Sequence, residues 1–253
     1  MNVGLYSGAA GMRVGQDYQQ LVTENLALQS VPGFKQMMPV FSTDPTATTA
    51  NMQTTASGNP AAIRMTRMVD FSQGPVMPTG NPYDVAIRGN AFFTVREADG
   101  STTYTRNGAF TLTGKGQLQT SDGATVLGAS GSPVTVSTTS GGPVTIGTDG
   151  VISVDGVPHG KLGVAHFDNP STSLSPGVGG RFLAANSSDA KQGLAKNDSI
   201  VQGSLEQGNG NPIEQMTNMI QAMRLYEANQ KSMQATDDSQ SQLITNLGGH
   251  PQG

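Results

Sequence analysis

Residues 211–247 read NPIEQMTNMIQAMRLYEANQKSMQATDDSQSQLITNL. From Ile213 to Leu247 the chain carries neither Gly nor Pro. Asn211 suits an N-cap, Pro212 the first helical position, and Glu214 stands where a capping-box acid reaches back. The run predicts one helix of roughly 50 Å at 1.5 Å per residue. Met219, Tyr226, Met233 and Leu247 recur at seven-residue spacing, with Gln240 as the polar member of the series. Ala222 and Leu243 fit the companion position, Asn229 and Thr236 interrupt it, and Ile213, Met216, Ile220 and Met223 add a 3-4-3 stripe at the start. A narrow seam of this period belongs to a helix lying along another helix, as in a coiled coil, rather than to one enclosed in a core. The fold therefore turns on where the partner is.

The other end of the chain supplies one. Over about residues 2–30, Leu5, Ala9, Met12, Tyr18, Leu21, Val22 and Leu26 fall near helical spacing, with Gln16, Asp17, Gln19, Gln20 and Glu24 between them. Gly4, Gly8, Gly11 and Gly15 interrupt the first half, each costing ~1 kcal/mol relative to Ala. Such a helix is marginal alone and needs cover. In NLALQSVPGFKQ, residues 25–36, Pro32-Gly33 stops it and Phe34-Lys35 follows.

Between the ends the text is different. Residues 36 to about 66 are rich in Thr, Ala and Ser with no sustained period, which predicts an extended segment. From about 67 to 205 come short alternating runs: DVAIRG, AFFTVRE, TTYTRN, AFTLTG, VTIGT, VISVDG, LGVAHF and RFLAAN. Asp-Gly at 99–100, 122–123, 149–150 and 155–156, and Asn-Gly at 107–108, are tight-hairpin sequences. SPVTV at 132–136 and GPVTI at 142–146 form a near-repeat, expected as two neighbouring strands. The expected fold is mixed α and β: N- and C-terminal helices pairing as a coiled coil, with a central all-β domain of short antiparallel strands. The expected divisions are 1–33 for the first helix, 34–66 for an extended linker, 67–205 for the β domain and 206–253 for the last helix and tail.

Composition narrows the function. Among 253 residues, 14 Lys and Arg face 18 Asp and Glu, a net charge of −4, which gives no electrostatic case for nucleic acid or an anionic membrane. The absence of Cys excludes a disulfide framework and a thiolate zinc site. The N-terminus lacks the basic and apolar regions of a Sec signal, and no run approaches the ~20 apolar residues of a membrane span.

Three blocks carry a resemblance. Asn25-Leu26-Ala27 followed by Ser30-Val31-Pro32-Gly33-Phe34-Lys35 resembles the signature of the bacterial flagellar rod and hook axial proteins. GNPYDVAIRGNAFFTV, with YTRNGAF and GQLQT after it, is similar to that family's central module, and GSLEQGNGNPIEQMTNMIQAMRLYEANQKSMQATDD to its C-terminal block. The three occur in the family's order. The resemblance implies a structural subunit of the flagellar basal-body rod that polymerises through its terminal helices into an axial shaft. It implies export through the flagellum's own type III apparatus without a cleaved signal, and partners among copies of itself and other rod and hook proteins. FSQGPVMPTGNPYDVAI resembles the proximal rod member more than the distal one. A distal rod or hook-type subunit stands as the alternative, and an extracellular β-domain binding module or adhesin as the alternative of another class. Two departures stand out: Leu28 where the family has a second Asn, and Gly208-Asn209-Gly210 where Ser-Asn-Val is common, which predicts a looser hinge.

No catalytic set emerges. His159, His166 and His250 are scattered. Asp149 and Asp155 beside Gly lack the closing Glu of an EF-hand and read as hairpin turns. Ser7 and Ser132 have no His-Asp pair, and GVGG at 177–180 lacks the P-loop Lys. An enzyme, a cofactor and a metal site are therefore not expected. The expected working surface is an assembly interface: Leu5, Met12, Leu21, Val22, Asn25, Leu26, Gly33 and Phe34 from the first block, and Ile213, Met216, Met219, Ile220, Met223, Tyr226, Met233, Leu243 and Leu247 from the last. Methionine's flexible thioether suits a surface that packs similar but non-identical neighbours. Phe34-Lys35-Gln36-Met37-Met38 also resembles the family's loose export-gate pattern.

Overall fold

The computed structural model describes residues 3–43, 63–136 and 142–248. The chain forms two compact units, one of residues 1–26, 37–68 and 211–253, the other of residues 27–36 and 69–210.

The first unit is mainly helical. Its N-terminal helix is Val3–Leu28 and its C-terminal helix Pro212–Gly248. Asn211 caps the latter as expected, its Oδ1 accepting the Ile213 N–H at 3.1 Å. The glycines that weaken the first helix have a compensating use. A Cβ on Gly8 would stand 2.5 Å from Met233 Cγ, one on Gly11 2.5 Å from Asn229 Oδ1, and one on Gly15 3.4 Å from Tyr226 Cα. As the first number rises the second falls, so the helices run antiparallel with the glycine row facing the second helix.

That row decides which face of the C-terminal helix is covered. Gln215, Met219, Ala222, Tyr226, Asn229, Met233, Thr236 and Gln240, in alternating steps of four and three, are buried or half-buried. Asn229 and Thr236, expected as interruptions, lie on the covered face, and Gly11 opposite Asn229 leaves room for its polar side chain. The opening stripe, expected to add to the seam, turns outward instead. Ile213 is 75% exposed, Met216 56%, Ile220 53% and Met223 48%.

The expected linker is structured at both its ends. Met37–Thr43 and Ile63–Val69 pair in a two-stranded sheet; residues 44–62 lie outside the described residues. The strand Met37–Thr43 is held to the first helix by side chains rather than by a turn. Asn25 Nδ2 donates to Met37 O at 2.7 Å while Met37 N donates to Asn25 Oδ1 at 2.9 Å, so the amide acts as a strand partner. The Tyr18 and Phe41 rings meet edge to face, and Arg67 pairs with Glu24 at 2.7 Å. A strand joined to its partner across some twenty residues carries no local hairpin signal, which is why its alternation reads as linker.

The second unit is the β domain. Its largest sheet has nine strands, with Ala91–Arg96 at the centre, flanked by Thr102–Thr105, Thr125–Val126 and Val164–His166. Ala91–Arg96 is buried on both faces, which accounts for a run that is apolar but for Thr94 up to Val95. Phe93 points into an aliphatic core with Val85, Ile87, Phe110, Leu118 and Val126. Phe92, one residue earlier, points the other way into an aromatic cluster with Phe71, Phe167 and Phe182.

Asp155-Gly156, with φ of 51° and 80°, makes the tight turn between Val151–Val154 and Val157–Lys161. Asn107-Gly108 does not make one. A Cβ on Gly108 would stand 1.7 Å from Val85 O, so this glycine serves a close backbone approach, in which Val85 N donates to Gly108 O. The near-repeat is not a strand pair either. Val144–Ile146 joins a separate three-stranded sheet, whereas Pro133 and Thr135 bridge to Leu127 and Gln117 beside the large one.

A buried charged junction as the candidate functional site

Within the β unit, the segment leaving the first helix and the segment leading to the last one converge on a buried cluster of charge. Gly33, with φ of 71°, donates its N–H to Glu206 O at 2.7 Å. A Cβ there would stand 2.2 Å from Arg106 C, so only glycine fits the turn. This stop delivers Phe34 and Lys35 inward. Phe34, expected on the assembly interface, is 2% exposed and lies against Gly180 of the β unit.

Lys35 Nζ donates to Glu206 Oε1 at 2.6 Å and to Ser72 O at 2.6 Å. Arg106 Nη1 donates to Glu206 Oε2 at 3.2 Å, and Nη2 to Gly89 O at 2.7 Å, with the guanidinium 4.7 Å above the Phe92 ring. Glu206 Oε1 also accepts the Gly74 N–H at 3.0 Å. Burial pushes the Lys35 ammonium and the Arg106 guanidinium below their usual values, and the Glu206 carboxylate opposes that in both. Two cations and one anion out of water are tolerable only because nearly every donor and acceptor is used.

Asn209 completes the junction. Its Oδ1 accepts the Gln36 N–H at 2.8 Å, and its Nδ2 donates to Asp70 O at 2.8 Å and Ser72 O at 3.2 Å. A Cβ on Gly208 would stand 2.7 Å from Gln29 O. The Gly-Asn-Gly segment, expected as a loose hinge, is a pinned crossing in which Asn209 holds three backbone groups and Gly208 admits the Gln29 backbone.

The sequence-chosen residues divide between the units. In the helical unit, Leu21, Val22 and Asn25 are buried, Met12, Met219, Tyr226 and Met233 half-buried, and Leu26, Ile213, Met216, Ile220 and Met223 exposed. Gly33 and Phe34 belong to the β unit. The side chains of Leu5, Leu243 and Leu247 lie outside those described. Lys35, Arg106 and Glu206 were not singled out. The available signal was the rarity of charge: each is an isolated ionic residue within one of the three blocks of resemblance.

No group of three or more His, Cys, Asp or Glu that could hold a metal occurs among the described residues. Asp149 Oδ1 accepts the Val151 N–H, a turn role. His159 lies exposed on a strand and His250 outside the described residues. What this arrangement does is mechanical: it fixes both flanks of the β unit to one buried point.

Comparison with known proteins bears on what the junction serves. Residues 86–154 match the family model described as the flagellar hook protein FlgE/F/G D1 domain. Residues 201–247 match that of the flagellar basal body rod FlgEFG protein C-terminal region. The chain is 32% identical to the flagellar basal-body rod protein FlgF of Caulobacter vibrioides, over 98% of this chain and 99% of that one. It is 31% identical to the rod protein FlgG of Buchnera aphidicola subsp. Schizaphis graminum, over 94% and 97%. With FlgG of Bacillus subtilis it shares 28%, over 95% and 97%.

Proposed function

This chain belongs to the flagellar basal-body rod protein family, and from that premise we propose that it polymerises into the rod through its helical unit, at a proximal position. It is a structural subunit of the flagellum and not an enzyme. The binding-module alternative loses its ground, because relatives matched along nearly the whole chain are named as rod proteins.

One observation carries the mode of assembly. Of the thirteen large apolar side chains exposed among the described residues, nine lie in the helical unit, although it is the smaller of the two. Ile213, Met216, Ile220 and Met223 keep the 3-4-3 spacing of a second seam on the C-terminal helix. The glycine row supports a coiled-coil pairing of the two terminal helices in each subunit, and the outward stripe is then left for the helices of neighbouring copies or of other rod and hook proteins. Each side chain fully buried in this way contributes ~1.5–3 kcal/mol, so repetition along a tube gives stiffness from helices that are marginal singly. The proximal position rests on the resemblance of FSQGPVMPTGNPYDVAI to that member.

Delivery to the rod is proposed to use the flagellar type III apparatus without a cleaved signal. No described helix is long and apolar enough to cross a membrane. The test is to purify hook-basal bodies from the source bacterium and count this chain by quantitative mass spectrometry against the other rod proteins. A fixed stoichiometry is expected, and absence from the particle would overturn the proposal.

A further inference from the structure

The chain carries no Cys and no Trp, so its 12 methionines are the side chains most open to two-electron oxidation. On the C-terminal helix they fall into two classes. Met219 and Met233 are half-buried on the face that meets the glycine row, with Met233 Cγ 2.5 Å from where a Cβ on Gly8 would stand. Met216 and Met223 are 56% and 48% exposed on the outward face. Seven residues apart, they share one stripe and alternate there with Ile213 and Ile220. Two of the four apolar side chains on that stripe are therefore oxidisable, and both stand open to solvent.

We propose that Met216 and Met223 form a modification site for peroxides, and that copies oxidised there are excluded from assembly. The proposal rests on the reading of the outward stripe as an assembly surface. In the step, a lone pair of the thioether sulfur attacks one oxygen of a hydroperoxide. The O–O bond breaks and the sulfur keeps that oxygen as a sulfoxide. The other oxygen takes the proton and leaves as water or an alcohol. Sulfur gives up two electrons and the O–O bond receives them, so no further oxidant enters. The residue exchanges an apolar thioether for a strong S–O dipole that accepts hydrogen bonds. On a free copy water satisfies that acceptor. Beneath the apolar helix face of a neighbour it has no donor, and a buried acceptor without a partner opposes association. Met77, 54% exposed on the strand Val76–Pro78 of the β unit, is as open to peroxide but lies off the stripe.

The test has two arms. In the first, the purified full chain, dilute, is exposed to hydrogen peroxide, and peptide mass spectrometry with fragmentation places each added oxygen over time. Met216, Met223 and Met77 are expected to oxidise several-fold faster than Met219 and Met233. Equal rates along the helix would overturn the site. The second arm expresses variants in a strain lacking the native chain and counts each in purified basal bodies. The double variant Met216→Gln, Met223→Gln, a polar stand-in for the sulfoxide, is expected to be lost from the particle without peroxide, while Met77→Gln incorporates normally. The double variant Met216→Leu, Met223→Leu keeps an apolar stripe of similar volume and has no sulfur there. With peroxide added during growth, the native chain is expected to fall in newly made basal bodies while the Leu variant holds. Normal incorporation of the Gln variant, or an equal fall of the Leu variant, would overturn the exclusion. The Leu comparison decides the matter if the Gln variant loses helix by far-UV circular dichroism. Absence of the untreated native chain from basal bodies would overturn the assembly reading and the exclusion with it, but not the peroxide site, which stands or falls on the first arm.

Discussion

Lys35 Nζ and Glu206 Oε1 lie 2.6 Å apart with no solvent reaching either side chain. The residues are separated by 171 positions, one just after the first helix stop and the other just before the last helix begins. Their pairing closes the β unit on both of its flanks. Glu206→Gln leaves Lys35 and Arg106 buried without an anion, and loss of one partner of such a pair costs roughly 3–5 kcal/mol. Lys35→Met leaves the Arg106–Glu206 pair intact and is expected to cost less. Urea unfolding followed by tyrosine fluorescence of both variants measures the order; equal costs would mean that Arg106 contributes nothing to holding Glu206.

Phe34 is 2% exposed within the β unit. A place on the expected assembly interface would make Phe34→Ala impair assembly more than β-domain stability. Burial against the β unit reverses that ranking, and Phe→Ala at a buried site costs roughly 3–5 kcal/mol. Thermal unfolding of the monomer should move down accordingly. A variant with unchanged unfolding and lost assembly would restore the earlier view.

Acid should loosen the same junction. Burial alone would raise the Asp70 carboxyl, but the Ser72 N–H and hydroxyl, the Gln36 amide and the Lys35 ammonium outweigh it and hold it below 3.8. The folded value being depressed, Asp70 contributes stability above the unfolded value near 3.8 and loses it as pH falls through the folded one. Denaturation midpoints taken downward from neutral pH should drop in that window. Asp70→Asn should be less stable at neutral pH and show a shallower drop, and an undiminished drop would exclude Asp70 as a source.

Much of this was legible in the sequence, and the misses share a cause. Asn211 and Pro212 announced the last helix because capping is local, and Asp155-Gly156 announced its hairpin for the same reason. The strand Met37–Thr43 was missed because its partners, Asn25 and residues 63–69, are remote in the chain. Gly108, Gly208 and the glycines of the first helix looked like turn, hinge and weakness. Each instead admits a remote backbone or side chain. Arg106 and Glu206 were passed over because pairing within a core is a tertiary fact, with no periodicity to reveal it.

The glycine row makes a graded prediction. Gly15→Ala places its Cβ 3.4 Å from Tyr226 backbone and side-chain atoms, a tight but adjustable contact, while gaining up to ~1 kcal/mol of helix propensity. It should change helical stability little in either direction. Gly11→Leu drives a branched side chain into Asn229, already 2.5 Å from where a Cβ would be. Far-UV circular dichroism of the full chain should show helix loss for Gly11→Leu and little change for Gly15→Ala. Equal spectra for both would mean that the helices separate readily at this level.

The exposed stripe separates assembly from folding. Ile220 is 53% exposed on the outward face of the C-terminal helix. Ile220→Glu should therefore alter monomer stability by no more than about 0.5 kcal/mol, as surface changes usually do. In an assembled rod the same change places a charge where an apolar side chain is to be covered, and replaces a gain of ~1.5–3 kcal/mol with a desolvation cost. Val157 is 58% exposed on a strand of the β unit, and Val157→Glu serves as the matched control. Expressed in a strain lacking the native chain, the Ile220 variant is expected to be depleted from purified basal bodies and to swim poorly, while the Val157 variant incorporates normally. Equal incorporation of the two would remove the stripe from the assembly surface, because the variants differ in which unit carries the new charge and hardly at all in exposure.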